Sequence, residues 1–211
     1  IKHPMDFMSD ILKDLGYESS NIGVEMDNYY FTPRALNSIK ENLPKANIKD
    51  ANRLVPLVRQ IKSEQELKYM KMASRIVEKT MQTAIDEIDE GVREGDAAAK
   101  VYQAQISGTK EFTGDYTAIA PIMPSAERTS TAHLTWTDRR YQKGDVVLLE
   151  LAGSKYKYHA PLSRTLYIGN PPEDLSDIAK VVVDGLNKTV DFIKPGITCE
   201  EVEEKWRGSI S

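Results

Sequence analysis

What the 211-residue chain lacks already narrows its class. It has one cysteine, Cys199, so no internal disulfide can form, as expected of a reducing compartment. It has no basic excess: 28 Lys and Arg stand against 32 Asp and Glu, for a net charge of -4. Nucleic-acid binders usually show a clustered basic face, so no nucleic-acid partner is expected. Long apolar runs are missing too. Val146–Leu149 is bounded by Asp145 and Glu150, far short of a bilayer span. The opening Ile1–Phe7 does not have the charged and then apolar regions of a secretory signal. No membrane partner and a cytoplasmic location are therefore expected. Gly-x-Gly-x-x-Gly and P-loop patterns, internal repeats and low-complexity segments are absent. The chain does not open on Met and it closes just behind a helical pattern, so both ends read as truncations.

What is present is an alternation of helical and extended patterns. Met5, Phe7, Met8, Ile11, Leu12 and Leu15 recur at helical spacing before Gly16, which predicts a helix over 5–15. Asn21–Glu25 and Ile48–Ala51 read as short strands. Between them Thr32 and Pro33 supply an N-cap and a first-position proline for a helix over 33–43. Ser63 and Glu66 form a capping box for a long helix over 63–89, with Met70, Ile76, Val77, Met81 and Ile85 along its apolar stripe. A domain boundary is placed at 58–63. A helix from Asp96 to about 106 follows. Four β-rich runs come next, 116–122, 132–136, 146–152 and 163–168, with Lys143-Gly144-Asp145 as a tight turn. Leu175–Phe192 is again helical, and Thr198 with Glu201 caps a last helix.

Chemistry-bearing residues concentrate in 111–165: Asp115, His133, Trp136, Asp138, Glu150, Tyr156, Tyr158, His159 and Arg164. Loops and strand ends are where a scaffold converges such groups. Each also has a plain structural reading. Glu150 ends an apolar run, where a carboxylate is expected to be half-buried and to need a partner. His133 suits proton transfer but also fits a structural role. Arg164 can pair with a structural acid, Asp115 follows Gly114 and can simply make a turn, and the tyrosines and His159 can be hairpin surface. Cys199 begins a helix with no base near it in sequence, which argues against a nucleophile.

From Lys62-Ser63-x-x-Glu66 through Glu90-Gly91, His133 and Gly144-Asp145 to Arg164-Thr165, the order of features resembles the pita-bread family of methionine aminopeptidase, aminopeptidase P, prolidase and creatinase. The resemblance implies an α/β (α+β) fold. Residues 1–60 would be the C-terminal part of a creatinase-like N-terminal α/β domain, and 61–211 the N-terminal half of the pita-bread catalytic domain. In metal-dependent members a strand Asp is followed eleven residues later by a second Asp, three before an Arg-Thr pair, and both ligate a divalent metal pair. Counted back from Arg164-Thr165, those positions here are Glu150 and Pro161. Proline has no ligating side chain, and a two-metal clamp needs its bridging carboxylates. No metal and no cofactor are therefore expected. Creatinase is the family's precedent for metal-free C–N hydrolysis.

Longer strings, His3–Phe7, Gly23–Phe31, Gly114-Asp115-Tyr116, His133–Trp136 and Tyr158–Thr165, are similar to the ectoine hydrolases of this family. That resemblance covers nearly the whole chain. It implies opening of the cyclic amidine of ectoine, and a homodimer when full length, with 5-hydroxyectoine as a related substrate. It also implies that other site residues lie in a missing C-terminal half, so that this stretch alone is inactive. In this reading Glu150 faces the amidinium as base or nucleophile and His133 shuttles the proton. Trp136, Tyr158, His159, Arg164 and Asp115 bind substrate. Three alternatives stay open: a metal-dependent Xaa-Pro aminopeptidase or prolidase, a non-catalytic pita-bread module that binds peptides, and an amidinohydrolase acting on a guanidino compound.

Overall fold

A computed structural model describes residues 2–210. The chain separates into two compact units, one ending at Glu64 and the other beginning at Gln65.

In the first unit, helix α1 (Pro4–Asp14) starts at His3, whose ring accepts the Met5 N–H while Asp6 accepts the His3 N–H. Strand β1 (Asn21–Val24) pairs in parallel with β2 (Asn47–Asp50). Helix α2 (Pro33–Asn42) lies between them in sequence, with Thr32 accepting from the Ala35 N–H at 3.2 Å. Asp6 also accepts from Ser38 and Asn42, which fastens α1 to α2. Val24, Ile39 and Leu43 form the small core. A short helix α3 (Leu54–Val58) follows, where the sequence reading placed no element.

The second unit is built around one antiparallel hairpin, β3 (Val146–Lys155) and β4 (Tyr158–Tyr167). Tyr156 and Lys157 form its two-residue turn with φ of 49° and 65°, the left-handed pair that a type I′ turn requires. Helices α4 (Glu64–Glu87) and α5 (Glu94–Ser107) cover one face of the sheet. Val77, Met81 and Ala84 of α4 and Ala97, Ala98 and Val101 of α5 meet Val147, Leu149 and Leu151 of β3. The alternation of a strand sends these odd-numbered residues to one side. Gly153 lets β3 approach closely, since a Cβ there would sit 2.1 Å from the Ala73 carbonyl oxygen of α4. Helices α6 (Glu173–Phe192) and α7 (Cys199–Ser209) pack on each other, and α7 carries the Thr198–Glu201 capping box. Among the described residues no helix is long and apolar enough to cross a membrane.

The two expected strands at 116–122 and 132–136 do not form. Pro121 interrupts the first, and a proline has no N–H to give a ladder. His133 breaks the second with a φ of 60°. What remains are isolated bridges, Ile122 with Glu150 and Ser125 with Val147. The last expected strand, in contrast, is longer than predicted and begins at Tyr158.

Candidate functional site

Among the described residues, the second face of the hairpin has no helix packed into the core cluster against it. Register places Leu148, Glu150 and Ala152 of β3 on this face, opposite Thr165, Ser163 and Pro161 of β4. A cleft of about 420 Å³ opens here, lined by Glu150, Ala152, Pro161 and Ser163 together with Ile119, Ala120 and Pro121 of the preceding loop, and completed by Leu151, Leu162 and Gln105 of α5. Glu150 is held through its backbone: its N–H donates to the Ile122 carbonyl at 3.0 Å, and the Ile122 N–H donates back at 3.2 Å. Its side chain is exposed. This corrects the expectation of a half-buried carboxylate. The neighbours Leu149 and Leu151 turn to the helices, so Glu150 turns to the bare face. Ser163, directly across the ladder, puts a hydroxyl beside it, since opposed Cβ atoms lie about 4.5–5.5 Å apart.

The other residues singled out in the sequence fall into three groups. Asp115 and His159 organise the loop that forms the cleft's rim. Asp115 donates its N–H to Ser154 O at 2.9 Å and accepts the Lys157 N–H at 3.2 Å. His159 Nε2 accepts the Ala118 N–H at 3.1 Å, and Nδ1 lies 3.0 Å from Lys157 O. A carbonyl can only accept and an amide N–H can only donate, so the ring is the neutral Nδ1–H tautomer.

Trp136, Tyr158 and Arg164 belong to the helix side of the unit. Trp136 packs edge-on against Tyr102 of α5, with ring centroids 5.7 Å apart. Tyr158 donates its hydroxyl to Glu66 at 2.8 Å and stacks beside Tyr69, both of α4. Arg164 pairs in register with Leu149, on the opposite face from Glu150, and donates to the Ser163 carbonyl. His133 stands apart, exposed on a turn outside the cleft lining. Of the seven, only Glu150 lines the cleft.

A polar knot that the sequence reading did not single out sits between α5 and the 121–145 segment. Glu94 is completely buried. It accepts from the Ser125 hydroxyl, from the Thr137 N–H at 2.6 Å and hydroxyl at 2.7 Å, and from Arg128 at 3.3 Å. Arg139 continues the network, donating to Ser125 and in bidentate fashion to Asp145. Burial pushes the Asp145 carboxyl up, but the Arg139 guanidinium and the Gln142 N–H more than offset this and hold it below its ordinary range. A glutamate in the first turn of a helix reads in sequence as a solvated dipole partner, so nothing marked Glu94 as buried.

Comparison with known proteins agrees with this fold. Residues 68–211 match the profile of Metallopeptidase family M24. The chain is 40% identical over 210 residues to an uncharacterized hydrolase/peptidase of Sinorhizobium fredii, covering 100% of this chain and 54% of that protein. It is 37% identical over 200 residues to the ectoine hydrolase of Halomonas elongata, covering 92% of this chain and 50% of that one. The solved prolidase of Pyrococcus furiosus superposes with a TM-score of 0.82 at 27% identity, over 100% of this chain and 58% of that structure. The chain thus spans about half the length of the curated relatives it matches, and its α/β architecture is the prolidase type that the motifs implied.

The metal pair of that family finds no fit in the residues present. Of its two strand positions one is Glu150 and the other is Pro161, which offers no ligand atom. Among the described residues no three His, Cys, Asp or Glu side chains converge as a cation site.

Proposed function

We propose, on the premise that this chain belongs to metallopeptidase family M24, that it supplies the substrate cleft of a metal-independent hydrolase that opens ectoine to N-acetyl-2,4-diaminobutyrate. The observation that carries this reading is that Glu150 and Pro161 line the same cleft on one sheet face. A lone carboxylate in that place matches a cationic amidinium better than it matches a metal clamp. The identity to an ectoine hydrolase over most of the chain supports the same substrate.

The chemistry follows from the groups on the face. Glu150 faces the amidinium and either takes a proton from the attacking water or attacks the amidine carbon itself. Water adds to that carbon and one ring C–N bond breaks, leaving the acetamide and a free amine. His133 is the proposed donor to the departing nitrogen, reaching it from a turn outside the cleft lining. Its ring is exposed, whereas both nitrogens of His159 are engaged. Residues beyond this stretch complete the site in this reading, because the chain spans about half of its relatives.

The likeness to prolidase favours a second reading, cleavage of Xaa-Pro peptides. One experiment separates the two: the natural full-length protein is dialysed against a strong chelator and given ectoine. Formation of N-acetyl-2,4-diaminobutyrate without metal is the expected result. Silence towards ectoine, with peptide cleavage restored by manganese, would establish the peptidase instead.

A further inference from the structure

We propose that His159 is a positioning residue, a neutral imidazole latch that fastens the 115–120 loop along the rim of the Glu150 cleft. This rests on the reading of that cleft as the substrate site. The loop contributes Ile119 and Ala120 to the lining. It is anchored at one end by the Asp115–Ser154 backbone bond and at the other by the paired bonds of Ile122 with Glu150. Its middle bends at Ala118 and Ile119 and is exposed, with Tyr116 at 76% and Ile119 at 63% of their full accessibility. The hydrogen bond that ties this middle to the hairpin runs from the Ala118 N–H to His159 Nε2.

The latch is built from three directions. Register puts His159 opposite Ser154, one pair from the hairpin turn. The Lys157 carbonyl accepts a hydrogen bond from Nδ1–H, which leaves the Nε2 lone pair facing Ala118. The same Lys157 donates its N–H to Asp115 and sets its ammonium 3.0 Å from the Tyr116 ring centroid, a cation–π contact that presses the loop's start onto the turn. A ring with both nitrogens committed in this way orients a wall and does not shuttle a proton.

The test is amide hydrogen exchange across 115–120 in the full-length protein, for three variants. His159→Ala removes both bonds. His159→Asn keeps a donor for the Lys157 carbonyl but does not reach Ala118. His159→Gln restores an acceptor at the Nε2 position. Exchange at the loop should rise about fivefold in the first two, the size of one net hydrogen bond, and return towards wild type in the third, with α4 and α5 unchanged. KM for ectoine should rise in the first two with kcat altered less. Unchanged loop exchange in His159→Ala, or a Gln variant as fast as Ala, would overturn the latch. Fast exchange with an unmoved KM overturns its role in substrate binding. Exchange is read without substrate, so failure of the ectoine reading itself shows separately, as silence of the full-length protein towards ectoine.

Discussion

Glu94 and Glu150 lie in the same unit of one chain and carry the same side chain, yet the fold uses them in opposite ways. Glu94 is wholly buried and its oxygens are filled by Ser125, Thr137 and Arg128. Both oxygens accept from protein donors, which is the condition for keeping a charge out of water. Glu150 sits on a rigid strand between two core leucines, but its own carboxylate faces an open cleft. The fold fixes its backbone and leaves its charge uncommitted. The comparison teaches that burial and saturation mark the carboxylate that holds the structure together. The group available for chemistry is the one held firmly but left unpaired among the described residues.

Exchanging the charge at the two positions should therefore break different things. Glu150→Gln should lower ectoine turnover by about 10²–10⁴-fold in the full-length protein, the usual contribution of a catalytic base or nucleophile. Its unfolding free energy should stay within about 0.5 kcal/mol of wild type, as for an exposed position. Retained turnover would remove Glu150 from the mechanism. Glu94→Ala should do the reverse, costing about 3–5 kcal/mol in urea unfolding because Arg128 and Thr137 lose their partner in a buried site. A stability within 1 kcal/mol of wild type, on that same scale, would mean that the Glu94 network contributes no net energy.

The same contrast explains what was legible in the sequence. Helix ends were readable because their signals are local: the Thr32–Pro33 and Thr198–Glu201 caps act within one turn. The open-faced strand was partly readable, since Val147, Leu149 and Leu151 mark its helix side. The exposure of Glu150 was not, because an apolar run does not say which of its flanks will be covered. His133 and the 116–122 run were misplaced as strand for a related reason. A positive φ and a proline override β-propensity: Pro121 was there to be read as a break, whereas the φ of His133 is not written in side-chain pattern. Glu94 was missed entirely, since its partners at 125, 128 and 137 arrive from a different part of the chain. The prolidase-type architecture was recognisable from motif order, which reflects descent more than any local propensity.

The smallest expected effect lies beside the Glu94 network and sharpens the comparison most. Tyr141 is 1% exposed, and its hydroxyl finds no hydrogen-bond partner among the described residues. Burial pushes the phenol well above its ordinary range, with the Glu94 charge adding to the shift. An unmet buried hydroxyl costs free energy, whereas the ring alone packs in the core with Met123 and Val147. Tyr141→Phe should therefore stabilise the protein by up to about 1 kcal/mol in urea unfolding near neutral pH. The pH dependence has a definite sign. A phenol whose folded pKa is raised contributes stability that is full below its unfolded value, near 10, and is lost as pH rises towards the folded one. Wild type should thus weaken above pH 10 more steeply than Tyr141→Phe, and the gap in favour of Phe should widen there. A Phe variant less stable than wild type at neutral pH would show that the hydroxyl is satisfied after all, and that the pocket beside Glu94 is wetter than its packing implies.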